Sequence, residues 1–313
     1  MVNVSVVIPV YNSEDSIERV VDTLIDNLSD RYNLEIVLVN DGSKDNSEKV
    51  CVSLHSRYSG VVRFYSLAKN VGEHNAVMAG LNMCSGDYVV IMDDDFQNPI
   101  SEVIKLFDYA INSDYDVVYT YYEKKQHSFF RNLGSKFNDR VANIMLSKPK
   151  DLYLSSFKLV NRFLVDEIIN YRLPYPYIDG LILRSTDNIG KIEVEHQKRE
   201  IGQSGYTLKK LVSLWLNMFT NFSIIPLRFS TVLGFITAVI GVVVGAYAVI
   251  EKISNPDIPV GYTSLFVVIC LFSGIVLLAL GMVGEYLGRI FISLNKKPQY
   301  LIRKSFDEKN NLK

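Results

Sequence analysis

Three consecutive carboxylates, Asp93, Asp94 and Asp95, close the apolar run Val89-Val90-Ile91-Met92 and are followed by Phe96-Gln97-Asn98-Pro99. Adjacent acids repel one another, so the cluster calls for a cation. A hard divalent ion with oxygen ligands, itself holding phosphate oxygens, is the chemistry that fits. A solvated acidic turn is the alternative. Two more polar loops close apolar runs: Tyr11-Asn12-Ser13-Glu14-Asp15-Ser16 after Val4 to Val10, and Asn40-Asp41-Gly42-Ser43 after Leu34 to Val39. His74 invites a catalytic role, but a lone histidine opening a helix more often packs than reacts. Arg199 has the geometry to clamp a phosphate with charge-assisted hydrogen bonds.

The elements that must position these groups follow from periodicity. Apolar runs at Val4 to Val10, Leu34 to Val39, Val61 to Ser66, Val89 to Met92 and Tyr115 to Tyr122 read as strands. Between them Ile17, Val20, Val21, Leu24 and Leu28 fall at helical spacing, and Ser47 to Tyr58 and Gly72 to Met83 are two further helices. Such alternation predicts an α/β fold with a mostly parallel sheet and helices on both faces. In open sheets of this kind ligands collect outside the carboxyl ends of the strands, where the three polar loops would converge. Val4 to Val10, broken by Pro9 and lacking a basic leader, reads as a strand and not a signal peptide.

The chain has 313 residues and a formal net charge of -1, without the basic stripe of a nucleic-acid binder. Its three cysteines form no metal or redox motif and suit a reducing compartment. Ser230 to Ile250 and Ile258 to Gly284 carry no charge, and each exceeds the roughly 20 residues that cross a bilayer as a helix. Arg228 lies before them, and Arg289, Lys296, Lys297, Arg303 and Lys304 lie within or after the second. By the positive-inside rule both flanks face the cytoplasm and the link at 251–263 is external. The domains read as a cytoplasmic catalytic domain at 1–206, an amphipathic juxtamembrane helix at 207–228, two membrane helices at 229–295 and a cytoplasmic basic tail at 296–313. Ser128 to Leu146 forms a basic amphipathic helix suited to a bilayer surface. Gly241 with Gly245, and Gly284 with Gly288, have the small-xxx-small spacing of close membrane-helix packing, which suggests a homo-oligomer such as a tetramer.

Taken in order, Val7-Ile8-Pro9-Val10-Tyr11-Asn12, Val39-Asn40-Asp41-Gly42-Ser43 and Asp93 to Pro99 resemble the family 2 glycosyltransferases of the GT-A fold. Arg199-Glu200-Ile201-Gly202-Gln203-Ser204-Gly205-Tyr206, Pro226-Leu227-Arg228 and Gly281 to Arg289 narrow the likeness to the polyisoprenyl-phosphate glycosyltransferases. That group includes bacterial undecaprenyl-phosphate glucosyl and aminoarabinose transferases and dolichol-phosphate mannose synthases. The likeness runs from about Val4 to Arg303, and it rests on several ordered motifs and not on one.

The resemblance implies roles. Pro9, Tyr11 and Glu14 border the nucleotide base, Asp41 takes the base or ribose, and Asn70, Asp93 and Asp94 line the donor. Asp95 and Gln97 hold Mg²⁺ or Mn²⁺ on the donor diphosphate. Arg131, Lys136, Arg199 and Ser204 receive the acceptor phosphate. The catalytic set is Asp93, Asp95, Arg131, Ser156 and Arg199. The donor is a nucleotide sugar, a UDP-sugar in the first instance, the acceptor is a polyisoprenyl (undecaprenyl) phosphate in the membrane, and transfer inverts the anomeric carbon. The product would be a lipid-linked sugar for modification of the cell envelope, made at the cytoplasmic face of a bacterial inner membrane.

One stretch departs from the pattern. Where relatives often carry Gly-Asp-Phe-Arg-Leu, this chain has Ser155-Ser156-Phe157-Lys158-Leu159. An ionised phosphate needs no strong base to unmask it, so Ser156 is compatible with turnover and fits a donor sugar with a deoxy, amino or acylated position. Asp151 and Asp179 are the nearest acids that could compensate. Two other readings keep the fold: a different lipid or glycan acceptor, which would need a base, and a non-catalytic membrane protein that binds nucleotide sugars. Two spans without internal charge offer a transporter no path.

Overall fold

The computed structural model describes residues 1–96, 98–122, 148–149, 152–195, 225–255, 261–295 and 298–307. The expected helix at Ser128 to Leu146, the juxtamembrane helix, and Gln97, Arg131, Lys136, Asp151, Arg199 and Ser204 lie outside the described residues. The chain divides into two compact units, one formed by Met1–Tyr206 with Lys297–Lys313, the other by Thr207–Lys296.

The first unit begins with β1 (Asn3–Val10), α1 (Ile17–Leu28), β2 (Asn33–Asn40), α2 (Ser47–Arg57), β3 (Val62–Leu67), α3 (Glu73–Met83), β4 (Tyr88–Ile91) and α4 (Ile100–Ile111). β5 (Val117–Tyr121), β6 (Lys158–Asn161), α5 (Arg162–Ile168), α6 (Ile178–Ser185) and β7 (Ile189–Glu193) follow. β8 (Ile302–Phe306) completes an eight-stranded sheet in the order β7-β5-β6-β4-β1-β2-β3-β8.

β1 to β4 pair only in parallel with one another, as the alternation predicts. The outer strands differ. β6 runs antiparallel between β4 and β5, and β8 antiparallel on β3. The sheet is therefore mixed. α1 seals one face of the sheet with Ile17, Val20, Val21, Leu24 and Leu28, all buried. Each such side chain contributes about 1.5–3 kcal/mol. α3 closes the opposite face, and a Cβ on Gly80 would lie 2.3 Å from Val7 Cγ1. Only glycine lets that helix lie so close to β1.

Residues 302–306, within the segment read from sequence as a basic tail at 296–313, form an edge strand. The exposed N–H and C=O groups of β3 attract any short extended segment. Phe306 then stacks on Phe64 at 5.6 Å, and Asp307 accepts from Tyr65 at 3.0 Å.

The second unit contains α7 (Ile225–Ser254) and α8 (Tyr262–Leu294). Within them Leu227–Tyr247 and Leu271–Leu294, with mean hydropathies of 2.2 and 1.8, are long and apolar enough to cross a membrane. Their apolar side chains, including Phe235, Val242, Leu277 and Phe291, are exposed. That is the surface lipid would cover. Gly241 packs on Phe272, where an added Cβ would sit 3.1 Å from the ring, while Gly245, Gly284 and Gly288 face open space.

Candidate active site

The strand order places the ends of β4, β1, β2 and β3 side by side, with the direction of winding reversing between β1 and β4. Their exit loops meet at one edge of the sheet, the position where open sheets hold ligands. The loops brace one another. The Ser13 and Glu14 amides donate to Ser47 Oγ (2.7 Å) and Asp45 (3.1 Å), and the Asn46 amide donates to Glu14 (2.8 Å). The Asn12 amide donates to Ser43 Oγ at 3.0 Å, and Asn12 Oδ1 accepts from the Lys44 amide at 2.9 Å. Among the described residues the non-glycine positions with left-handed backbone are Asn12, Phe96 and Tyr175. Two of these are in the loops after β1 and β4, and Tyr175 precedes α6. Such strain persists where a surrounding structure enforces it, commonly at sites.

Asp41 is buried, 3% exposed, and its two oxygens accept from the Val71 and Gly72 amides at 2.7 and 2.9 Å. Burial raises its pKa against these two hydrogen bonds. It ties the loop after β3 to the loop after β2. Gly42 completes the junction: its φ is +67°, and a Cβ would lie 2.6 Å from the Asn70 amide nitrogen. Tyr11 (45% exposed) and Asn70 present open side chains beside this junction.

The three acids part company. Ser156, exposed just before β6, donates its hydroxyl to Asp93 at 2.8 Å. Asp94 turns back to accept from Ser13 Oγ. Burial pushes Asp94 up to about 6, opposed by Ser13, with Asp93 and Asp95 adding repulsion. Asp95 is buried. The loop is held from outside as well. Arg19 lies over the Phe96 ring at 4.0 Å, and Tyr122 donates to the buried Asn98 at 3.2 Å. Among the described residues no three His, Cys, Asp or Glu side chains close on one point. Mg²⁺ or Mn²⁺ commonly takes one or two carboxylates and completes its shell from phosphates and water, so this donor set fits such an ion.

Next to Ser156, Lys158 is 3% exposed and pairs with Asp179 of α6, itself 7% exposed. Tyr119 donates to the same Asp179 oxygen at 2.8 Å, and the Lys158 ammonium lies 5.1 Å from the Tyr119 ring. Asp179 is therefore committed to the lysine that stands in the arginine position. His74 packs edge-on against Tyr177 at 5.1 Å, and burial pushes its pKa down to about 4, so it is neutral.

Tyr11, Glu14, Asp41, Asn70, Asp93, Asp94 and Asp95 thus come from four exit loops, Pro9 from inside β1 near its end, and Ser156 from the residues just before β6. Sequence reasoning missed Ser13, Tyr122 and Asn98 as holders of the acidic loop, and none carried a signal. The Lys158–Asp179 pair did carry one: a lysine inside the apolar run Phe157-Lys158-Leu159-Val160 is buried only with a partner.

Residues 5–169 match the description "Glycosyl transferase family 2". The chain is 32% identical to undecaprenyl-phosphate 4-deoxy-4-formamido-L-arabinose transferase of Serratia proteamaculans, over 98% of this chain and 95% of that protein. The Proteus mirabilis protein of the same name is 33% identical over 96% of this chain and 93% of its own length. Among solved structures, glucosyl-3-phosphoglycerate synthase from Mycobacterium tuberculosis in complex with UDP superposes with a TM-score of 0.53 at 19% identity, covering 69% of this chain and 78% of that one. The same synthase with Mn²⁺, UDP and glucosyl-3-phosphoglycerate gives 0.52 at 19% identity, with coverages of 70% and 76%. These two likenesses concern the fold.

Proposed function

The chain belongs to glycosyl transferase family 2, and from that premise we propose that it moves a sugar from a UDP-sugar to undecaprenyl phosphate, for modification of the cell envelope. The observation that carries the reading is the Ser156 hydroxyl on Asp93, at the head of the acidic loop, in a chain that continues into two apolar helices. The full-length likeness to transferases named for a 4-deoxy-4-formamido sugar supports a donor of that class. Serine is small and can donate or accept, whereas a carboxylate beside an acylated position would lose hydration without a partner.

In this reading Tyr11 and Asn70 line the base with Pro9, and Asp41 and Glu14 act by setting the loops around it. Asp93, oriented by Ser156, and Asp94 border the donor. Asp95 with Gln97 would hold Mg²⁺ or Mn²⁺, which when bound supplies positive charge to the leaving diphosphate. Arg131, Lys136, Arg199 and Ser204 receive the acceptor phosphate. One of its oxygens attacks the anomeric carbon while the bond to the diphosphate breaks, and the electron pair leaves with the diphosphate. The attack inverts that carbon, and no base is needed for an oxygen already ionised. The catalytic unit, at 1–206, lies on the cytoplasmic face, with an amphipathic segment at 207–228 and the hairpin at 229–295 tethering it to a lipid that cannot leave the bilayer. Copies pack through the open Gly284 and Gly288 positions of α8 into a homo-oligomer.

The test is to incubate membranes containing the chain with undecaprenyl phosphate and labelled UDP-4-deoxy-4-formamido-L-arabinose or UDP-glucose, and to extract the lipid. Label in the lipid from the formamido donor, abolished by Asp95→Ala, is expected. No labelled lipid from any donor, or preference for UDP-glucose, would overturn the acceptor and the sugar class respectively.

A further inference from the structure

The strand that follows the membrane hairpin is wired into the loops of the donor site. Gln299 donates to the Tyr171 and Leu173 carbonyls at 2.8 and 2.7 Å, and Leu301 accepts from the Ala68 amide at 2.8 Å. Ala68 opens the loop that Asp41 holds by Val71 and Gly72. In the antiparallel pairing of β3 with β8, Lys304 lies opposite Ser66, and the register shifts only beyond that pair, where Ile302 faces Leu67.

From there a continuous set of polar contacts leads inward. Lys304 Nζ bonds Glu48 Oε1 at 2.5 Å, and Glu48 Oε2 accepts from Ser66 at 2.8 Å. Asn40 Nδ2 donates to Ser66 Oγ at 3.0 Å and more weakly to Glu48 Oε2 at 3.4 Å, while its Oδ1 accepts from the Ser43 amide at 3.1 Å. Ser43 Oγ in turn accepts from the Asn12 amide. The Lys304 hydrogen bond, then Ser66, holds the Glu48 carboxyl below its ordinary pKa, so Glu48 is ionised and accepts throughout. Asn40 is buried at the end of β2. A second carboxylate there would face Glu48, whereas the amide both donates to that pair and accepts from the loop.

We propose that Lys304, through Glu48 and Asn40, is a positioning residue of the donor site, so that the strand emerging from the hairpin keeps the loops after β1 and β2 in register. The donor part rests on the reading of the site given above; the loop part does not. Lys304 touches no reacting atom, and its effect would fall on donor binding more than on turnover.

The experiment uses the full chain in lipid nanodiscs, with UDP as the probe. Lys304→Met should speed amide exchange over residues 40–46 and 68–72 and weaken UDP binding about two- to fivefold, the range of a partly exposed ion pair. The donor KM should rise by the same factor with kcat within about twofold, since a binding contact common to ground and transition state acts on KM. Lys304→Arg should restore both. Adding Lys304→Met to Glu48→Gln should change little beyond Glu48→Gln alone, because the two residues act as one contact. Unchanged loop exchange in Lys304→Met, or full additivity with Glu48→Gln, overturns the proposal. Faster loop exchange in a chain that binds no UDP overturns the donor reading and leaves the positioning of the loops standing.

Discussion

Ser156 and His74 show how much a single side chain depends on its neighbour. The Ser156 hydroxyl orients Asp93 with one hydrogen bond at 2.8 Å. Ser156→Ala should therefore lower kcat about two- to tenfold, the net worth of an exposed hydrogen bond of about 0.5–1.5 kcal/mol. Ser156→Asp sets a second carboxylate against Asp93 and should lower kcat with the formamido donor about a hundredfold, while UDP binding changes little. Steady-state kinetics with parallel UDP titration checks both, and a silent Ser156→Asp would remove the serine from the site. His74 supplies a pH dependence. Its folded pKa, about 4, lies below the ordinary 6.5, so the unfolded chain binds the extra proton between those values. Stability from this group is full above about 6.5 and falls as pH drops toward 4. Between pH 7 and 5 the wild type should lose about 1–2 kcal/mol more than His74→Phe, which keeps the ring contact with Tyr177. Denaturation of both proteins in the same detergent at the two pH values measures the difference.

At the scale of elements, the site is made by loops whose backbones leave little choice. Gly42 has a left-handed φ and touches the Lys69–Asn70 backbone, so two loops meet there without room for a methyl group. Gly42→Ala must both strain its own backbone and push that loop away, at about 1–3 kcal/mol for the strain alone. The expected result is a UDP affinity lower by about tenfold or more, with the fold retained by circular dichroism. Unchanged affinity would mean that the loop after β3 does not border the donor. Gly80 is a contrasting case, because its close approach to Val7 lies inside the packed layers and away from the loops.

At the scale of the whole molecule, connectivity restricts topology. The chain leaves the catalytic unit before α7 and returns to it as β8, in the same sheet as β1 to β4. Two spans that cross and return would place both flanks on one side of the membrane, and in the function proposed above the basic flank residues put that side in the cytoplasm. In a chain stripped of its native cysteines, Asn255→Cys should react with an impermeant thiol reagent added to intact cells, and Ser43→Cys should not. Labelling in the reverse pattern would put the donor loops outside.

Much of this protein was determined locally along its sequence. The alternating strands and helices of the first half, the three polar loops at strand ends and the two uncharged spans follow from period and composition, which act over a few residues. The acidic loop could be read as a cation and phosphate site for the same reason, since three adjacent carboxylates repel wherever they lie. What only the tertiary structure decided is who partners whom. Ser156 meets Asp93 across 63 residues, Lys158 meets Asp179 across 21, and Lys304 meets Glu48 across 256. The antiparallel return of β6 and the capture of residues 302–306 by the edge of β3 were likewise invisible in the sequence. A hydrogen bond is made or lost within about 1 Å, and that precision comes from the packing of distant elements and leaves no period in the chain.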